Sequence, residues 1–479
     1  MKNLKKFVSF CICGTLCATV LGSCSGTKDD PNKLNLVVYD GGYGSQWVYD
    51  LIDVFESENA GYKVNVTVSK NAATIITTNM SKNNNTDDLY ISVNIDWDMY
   101  APQGKLAVLD DLYETQVDGI TFKDKVNDCY ANAVKATCKG EEHYFRTPWT
   151  AGVGGIFYNV KMFRENGWNI PETYEELQQL CETIANANVP VEGSDEETVK
   201  PFVFTGGESY YWEYTIFNWW GQLAGKDSID DFLKYDSPLD FDYTNAEHGK
   251  AYSALKDAYS LWYDLIAKNS DAYCMKDCTG KTYTAAQGDF VSGKAAMMPN
   301  GQWLYNEMKE VAGDFEMALM PTPYAPGITA ESATAHTQYV VGQDQSIVIP
   351  ASSSKQDLAK KFIQLIASDR GCEIFLKKAN GILGFNHTFD ENDASLSTFQ
   401  KSILAVQNES NILFNDYSNT LLGKSGQFEV IPVAEPYNLA VTGYKASDEQ
   451  NSTNTPDKVF NTIKGYVASN WNMWLEKIS

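Results

Sequence analysis

The sequence predicts an α/β protein of two separately cored lobes, each a mainly parallel sheet flanked by helices. Three observations predict it. Strand and helix patterns alternate from Leu34 onward, the chain runs to 479 residues, and no long uncharged apolar stretch follows Val20. Strands that alternate with amphipathic helices form parallel sheets with helices on both faces. A chain of this length exceeds what one hydrophobic core organises, so it divides.

The elements follow in order. Lys2, Lys5 and Lys6 precede an apolar run from Phe7 to Val20, and Leu21, Gly22, Ser23 and Cys24 come next. That order is a signal peptide over 1–23, whose apolar run is shorter than the roughly 20 residues a spanning helix needs. The Leu-Gly-Ser-Cys string resembles a lipobox, which implies acylation of Cys24 as the mature N-terminus. The polar stretch 24–33 reads as a lipid-anchored flexible tether, with too few apolar residues to offset its ordering entropy. Leu34, Leu36 and Val38 then share one side of a first strand, and Gly41, Gly42 and Gly44 make the turn after it. Trp47, Leu51, Val54 and Phe55 fall on one face of the next helix, the mark of an amphipathic element. Val64, Val66 and Val68 alternate in a second strand, and Leu89, Ile91 and Val93 in a third. Ligands of such sheets sit beyond the C-terminal strand ends, which singles out 40–47 and 94–100. The glycine turn is no dinucleotide fingerprint and lacks the Lys-Ser/Thr of a phosphate loop, so it reads as a tight turn beside a ligand.

Charge narrows the partners. Loss of the three signal lysines from 38 basic residues leaves 35 against 62 acidic ones, a net charge of −27. That balance disfavours nucleic acid and anionic membrane surfaces. Six cysteines remain in the body, and outside the cytoplasm they can pair. Cys129 with Cys138 and Cys274 with Cys278 are near enough in sequence for small-loop disulfides, leaving Cys181 and Cys372 as buried thiols. Cys-x3-Cys has no second Cys or His pair beside it, so neither a metal site nor a cofactor is expected.

From Tyr144 the pattern becomes specific. Phe145 to Trp149, Gly152, Gly154, Gly155, Phe157, Tyr158, Asn159, Phe163, Asn166 and Gly167 lead into Pro171, Thr173, Tyr174, Glu176 and Leu177. Thr173 is a candidate N-cap, with Glu176 three residues on as the return half of a capping box. Phe290, Ser292 to Met297, Gly301 and Trp303 follow, then Ile347 to Pro350, Ser354, Lys355, Ala359, Phe362 and Ile363. In this order and spacing the segments resemble family 1 extracellular solute-binding proteins, with Tyr174 where that family has Trp. The resemblance spans about Asp40 to Gly371. It implies a two-lobe periplasmic-binding-protein fold, maltose-binding-protein-like, joined by crossing hinge strands. The lobes would be 34–150 with 297–368, and 151–296 with 369–479. It further implies carbohydrate capture between the lobes and delivery to the membrane subunits of an ABC importer. Such a protein would be a monomer outside the cytoplasm, held to the membrane by its N-terminal lipid alone.

A sugar cleft needs aromatic plates for C–H faces and planar polar groups for hydroxyls. All 11 tryptophans lie beyond the signal. The expected ligand-binding set is Asp40 and Trp47 after the first strand, Asp96 and Trp97 after the third, and Trp149 at the first lobe crossing. Glu208, Tyr211 and Trp212 in the second lobe, with Asn300 and Trp303 around the matched glycine, complete it. The alternatives are a binder of a non-sugar solute and a secreted glycoside hydrolase working through two carboxylates. The histidines stand isolated, with no His-Glu-x-x-His and no Gly-x-Ser-x-Gly string, so no catalytic residue is named and the expectation is not an enzyme.

Overall fold

In the computed structural model, residues 30–414 and 455–478 are described, apart from 132, 195, 336, 342–344 and 410. The signal segment and Cys24 lie outside the described residues. β1 (Lys33–Tyr39) pairs in parallel with β2 (Lys63–Ser69) on one side and β3 (Leu89–Val93) on the other. Leu34, Leu36 and Val38 pack with Trp47, Val48, Leu51 and Phe55 of the helix Gln46–Glu58. Val37 faces the opposite layer, with Ile76, Tyr90 and Trp97. The strand thus buries both faces, while β2, at the sheet edge, alternates between half-buried and exposed positions.

Two hairpins follow, β4 (Gln116–Val117) with β5 (Ile120–Thr121) and β6 (Lys135–Cys138) with β7 (Glu141–Tyr144). β8 (Thr147–Pro148) joins the first sheet, and β9 (Gly152–Asn159) centres the second. With β10 (Lys200–Phe202), β11 (Ala295–Gly301), β12 (Met317–Leu319), β13 (Thr337–Val341) and β15 (Asn411–Phe414), the second sheet runs β10-β11-β9-β13-β15, β12 also pairing with β9. β14 (Gln345–Val348) returns the chain to the first sheet, ordered β2-β1-β3-β14-β8. The parallel strands β2, β1 and β3 form one side of the first sheet, and the antiparallel strands β8, β9, β13 and β14 flank the passages between sheets. The chain passes at 149–151, has changed sheet again between the end of β13 and the start of β14, and passes a third time between the helices Asp369–Ala379 and Thr398–Asn408.

Two boundaries differ from the expected division. β11 lies wholly in the second sheet between β10 and β9, so the chain does not return to the first lobe at 297. The helix Asp369–Ala379 belongs with the first lobe rather than the second, since Cys372, Phe375 and Ala379 pack with Trp47, Phe362 and Trp149. The almost fully buried Lys125 ammonium ties that helix down by pairing with Asp118 at 2.8 Å and with Asp369. The third passage is the reason, because Phe399, Ile403 and Leu404 beyond it enter the second core.

Local chemistry fixes the helices. Thr173 caps Tyr174–Ala187: its hydroxyl accepts from Glu176 N at 3.2 Å, and the Glu176 carboxylate accepts from Thr173 N at 3.4 Å. The helix Pro456–Ile478 buries Val459, Phe460, Ile463, Val467, Trp471 and Trp474 in the second core, a stripe at three- and four-residue spacing. A buried ion pair, Lys355 with Asp88 at 2.9 Å, joins the segment after β14 to the start of β3. Asp88 also accepts from Asn35 N at 2.8 Å and from the Ser353 hydroxyl at 2.7 Å.

The six body cysteines are free thiols, so the two expected small-loop disulfides are absent. Cys129 packs against the first lobe's larger core, and Cys138 against the layer on the sheet's other face, its thiol directed to the Pro102 carbonyl. Burial raises the Cys278 thiol to about 11 and the Cys372 thiol to about 12, which keeps both protonated. No described helix is long and apolar enough to cross a membrane.

Candidate functional site

The two lobes meet where the turn after β1 touches the helix after β11. Gly44 N donates to Gly41 O at 2.9 Å, closing the turn, and Gly44 has φ +64°, a conformation that suits glycine. Gly42 has a different reason to be glycine. A Cβ there would lie 2.7 Å from Trp303 Cβ and 3.1 Å from Glu307 Oε1, both on the opposite lobe. Two hydrogen bonds cross the same seam: Gln302 Nε2 donates to the Tyr43 hydroxyl at 3.0 Å, and Asn306 Nδ2 donates to Gly42 O at 3.1 Å.

Trp303 is the ring at the centre of this contact. Its backbone opens the helix Leu304–Met308, and its indole folds back over Gly301, where any Cβ would lie 2.2 Å from the ring. Tyr211 and Tyr214 meet it edge-on at 6.2 and 5.5 Å. The side chain is partly exposed and packs against the hydrophobic cores of both lobes. Below it, Glu307 accepts from Gln287 Nε2 at 2.7 Å, and burial pushes its carboxyl above the usual range.

The other expected residues divide by burial. Asp40 is half-buried at the end of β1, its N–H bonded to Ser69 O at 3.0 Å, directly before the contacting turn. Asp96 is exposed at the start of the short helix Trp97–Tyr100, after β3. Tyr211 is buried but touches Trp303. Asp40, Tyr211 and Trp303 thus lie at or beside the seam, and Asp96 follows the strand next to β1.

Trp47, Trp97, Trp149, Trp212 and Asn300 are instead buried inside the lobes, and Glu208 is half-buried with its carboxylate held by its own lobe. Trp47 and Trp149 lie 5.8 Å apart in the first core with Phe375 against both, and neither has exposed surface to offer a ligand. Trp97 lies under the buried Arg146 guanidinium at 4.3 Å, a cation–π contact that braces the approach to β8. Trp212 packs among Phe202, Phe204 and Trp262 in the second core. Glu208 is a brace, accepting from the Thr205 hydroxyl at 2.7 Å and from Tyr283 N at 2.9 Å. Asn300 is fully buried within β11, where its Oδ1 accepts from Gly301 N at 2.8 Å.

Sequence reasoning missed Tyr43, Gln287, Asn306 and Glu307. Tyr43 sits inside the glycine turn already assigned to a strand end, which was a usable signal. Asn306 and Glu307 follow Trp303 by three and four residues, one helical turn on and on its side of the helix. Gln287 carries no local mark. Among the described residues no group of three or more His, Cys, Asp or Glu side chains could hold a metal ion. A separate cavity of about 410 Å³ opens within the second lobe among Pro171, Pro323, Tyr324 and Val406, away from the seam.

Comparison with known proteins gives four matches. The family model described as "Bacterial extracellular solute-binding protein" matches residues 41–371. The multiple sugar-binding protein of Streptococcus mutans is 26% identical over 380 residues, covering 78% of this chain and 81% of that protein. The diacetylchitobiose binding protein DasA of Streptomyces coelicolor is 25% identical over 391 residues, covering 78% and 80%. Among solved structures, the binding protein RafE in complex with raffinose superposes with a TM-score of 0.61 at 18% identity, covering 90% of this chain and 99% of that one.

Proposed function

The chain belongs to the bacterial extracellular solute-binding protein family, and from that premise we propose that it captures a mono- or oligosaccharide between its lobes and delivers it to an ABC importer. The relatives named for sugars, diacetylchitobiose and raffinose support a carbohydrate over other solutes. The observation that carries the reading is Trp303: a partly exposed indole, flanked by two tyrosines, at the junction of both cores. A flat ring in that setting suits the C–H face of a pyranose, and Gln302 and Asn306 beside it, with Asp40 just before the contacting turn, supply polar groups.

The mechanism needs no covalent chemistry, in keeping with a family of binding proteins rather than enzymes. One lobe takes the sugar, the lobes rotate about the three passages, and contact between Gly42 and Trp303 closes over it. Ligand drives closure only through contacts that the open form lacks. In this reading residues 1–23 are removed, Cys24 carries the lipid, and the protein works as a monomer outside the cytoplasm. Among the described residues, the lobes are 34–149 with 345–385, and 152–341 with 398–414 and 455–478. Calorimetry and small-angle scattering across a sugar panel test it. Micromolar binding, about 8 kcal/mol, with compaction is the expected result, and absence of both for every sugar removes carbohydrate.

A further inference from the structure

Three amide side chains close to one another on the second lobe share a condition that Gln407, on the helix Thr398–Asn408 of the same lobe, also shows. Gln287 and Gln302 have no exposed surface and Asn306 is 8% exposed, and their carbonyl oxygens have no hydrogen-bond partner. Each amide nitrogen is already committed: Gln287 to Glu307 Oε2 at 2.7 Å, Gln302 to the Tyr43 hydroxyl at 3.0 Å, and Asn306 to Gly42 O at 3.1 Å. A carbonyl and a carboxylate can only accept, so at Gln287 and Asn306 the nitrogen must face the partner and the oxygen must face away. Buried acceptors are nearly always satisfied in folded proteins. Gln302 and Asn306 reach the seam directly, and Gln287 joins them through Glu307, whose carboxyl lies beside Gly42; three orphans so connected mark a place for something that donates.

We infer that Gln287, Gln302 and Asn306 form a hydrogen-bond-accepting subsite that opening of the seam uncovers, and that it selects a neutral, hydroxyl-rich saccharide over an acidic one. The inference rests on the carbohydrate reading above and refines it. Sugar hydroxyls donate and accept, so they satisfy amide oxygens directly. A carboxylate, sulfate or phosphate offers these oxygens no proton, and it meets the Glu307 carboxyl beside them. Lys70 is the counterweight. It is exposed just after β2, and its positive charge reaches Glu307, so an acidic sugar has one cation to approach. It contributes nothing to the three orphaned acceptors.

The test is calorimetric titration of the purified protein with matched pairs: galactose and galacturonate, then α-1,4-galactotriose and α-1,4-trigalacturonate, with raffinose and diacetylchitobiose as further neutral probes. The expected result is a neutral sugar that binds at least tenfold more tightly than its acidic counterpart. Asn306→Leu should weaken neutral binding by about threefold to tenfold, the worth of one hydrogen bond. The wild-type comparison needs no variant, so misfolding of Asn306→Leu leaves the inference exposed to refutation. An acidic member that binds as tightly as its neutral partner overturns the subsite while leaving the carbohydrate reading intact. No binding by any saccharide removes that reading and the subsite with it.

Discussion

Substituting Gly42→Ala should separate binding from folding. Gly42 does not lie in the left-handed region, unlike Gly44 at φ +64°, so alanine fits the turn's backbone. In the separated first lobe the added methyl costs nothing, and loss of glycine's freedom in the unfolded chain stabilises by about 0.4–1 kcal/mol. In the closed seam the methyl lies 2.7 Å from Trp303 Cβ, about 1 Å inside the optimal carbon–carbon separation. Overpacking of that kind costs about 1–3 kcal/mol, or roughly a 5- to 150-fold loss of affinity for any ligand that needs the lobes shut. Stability and affinity should therefore move in opposite directions. Denaturant melts of the ligand-free protein give the first, and calorimetry with the tightest sugar gives the second, with scattering to report compaction. A variant that binds and compacts like the wild type would show that the Gly42–Trp303 contact is no part of the ligand-bound state.

Other perturbations address neighbouring links in the argument. Trp303→Ala should weaken sugar binding by at least the 0.5–1.5 kcal/mol typical of an aromatic contact beyond its burial, read by the same titration, with only a modest change in melting temperature. Asp88→Ala strands the buried Lys355 ammonium and its neighbours, and should cost about 3–5 kcal/mol in a denaturant melt. Glu307→Gln tests the raised carboxyl: burial raises its folded pKa above the unfolded value. The favourable, protonated contribution is complete below the unfolded value, about pH 4, and is lost as pH rises through the folded one. The variant should be the more stable protein at neutral pH, with the difference vanishing in melts near pH 4.

The first lobe was legible because its strands and helices carry unmixed periods. Leu34, Leu36 and Val38 alternate, and Trp47, Leu51 and Phe55 recur on one helical face, and both patterns emerge in the structure as read. Thr173 and Glu176 were equally plain, since a capping box is a local device. Lobe boundaries were not, because the strand Ala295–Gly301 is apolar on both faces and would suit either sheet. The tryptophans show the limit most clearly. Proximity to a strand end places a residue near the cleft but does not say which way its ring turns, and Trp47, Trp149 and Trp212 all turn inward. Gln287 became visible only through the hydrogen bonds it makes and leaves unmade, which no spacing along the chain encodes.

The winding of the chain also bears on how the molecule can assemble. The first core waits for Phe375 and Phe385, and the second, begun at Val153, waits for Trp471 and Trp474 near the C-terminus. Neither half can therefore finish from a nascent N-terminal fragment, and high sequence separation between partners slows folding. One half can thus set once Phe385 has emerged while the other still waits for Trp474, so the two cores become complete at separate moments of synthesis.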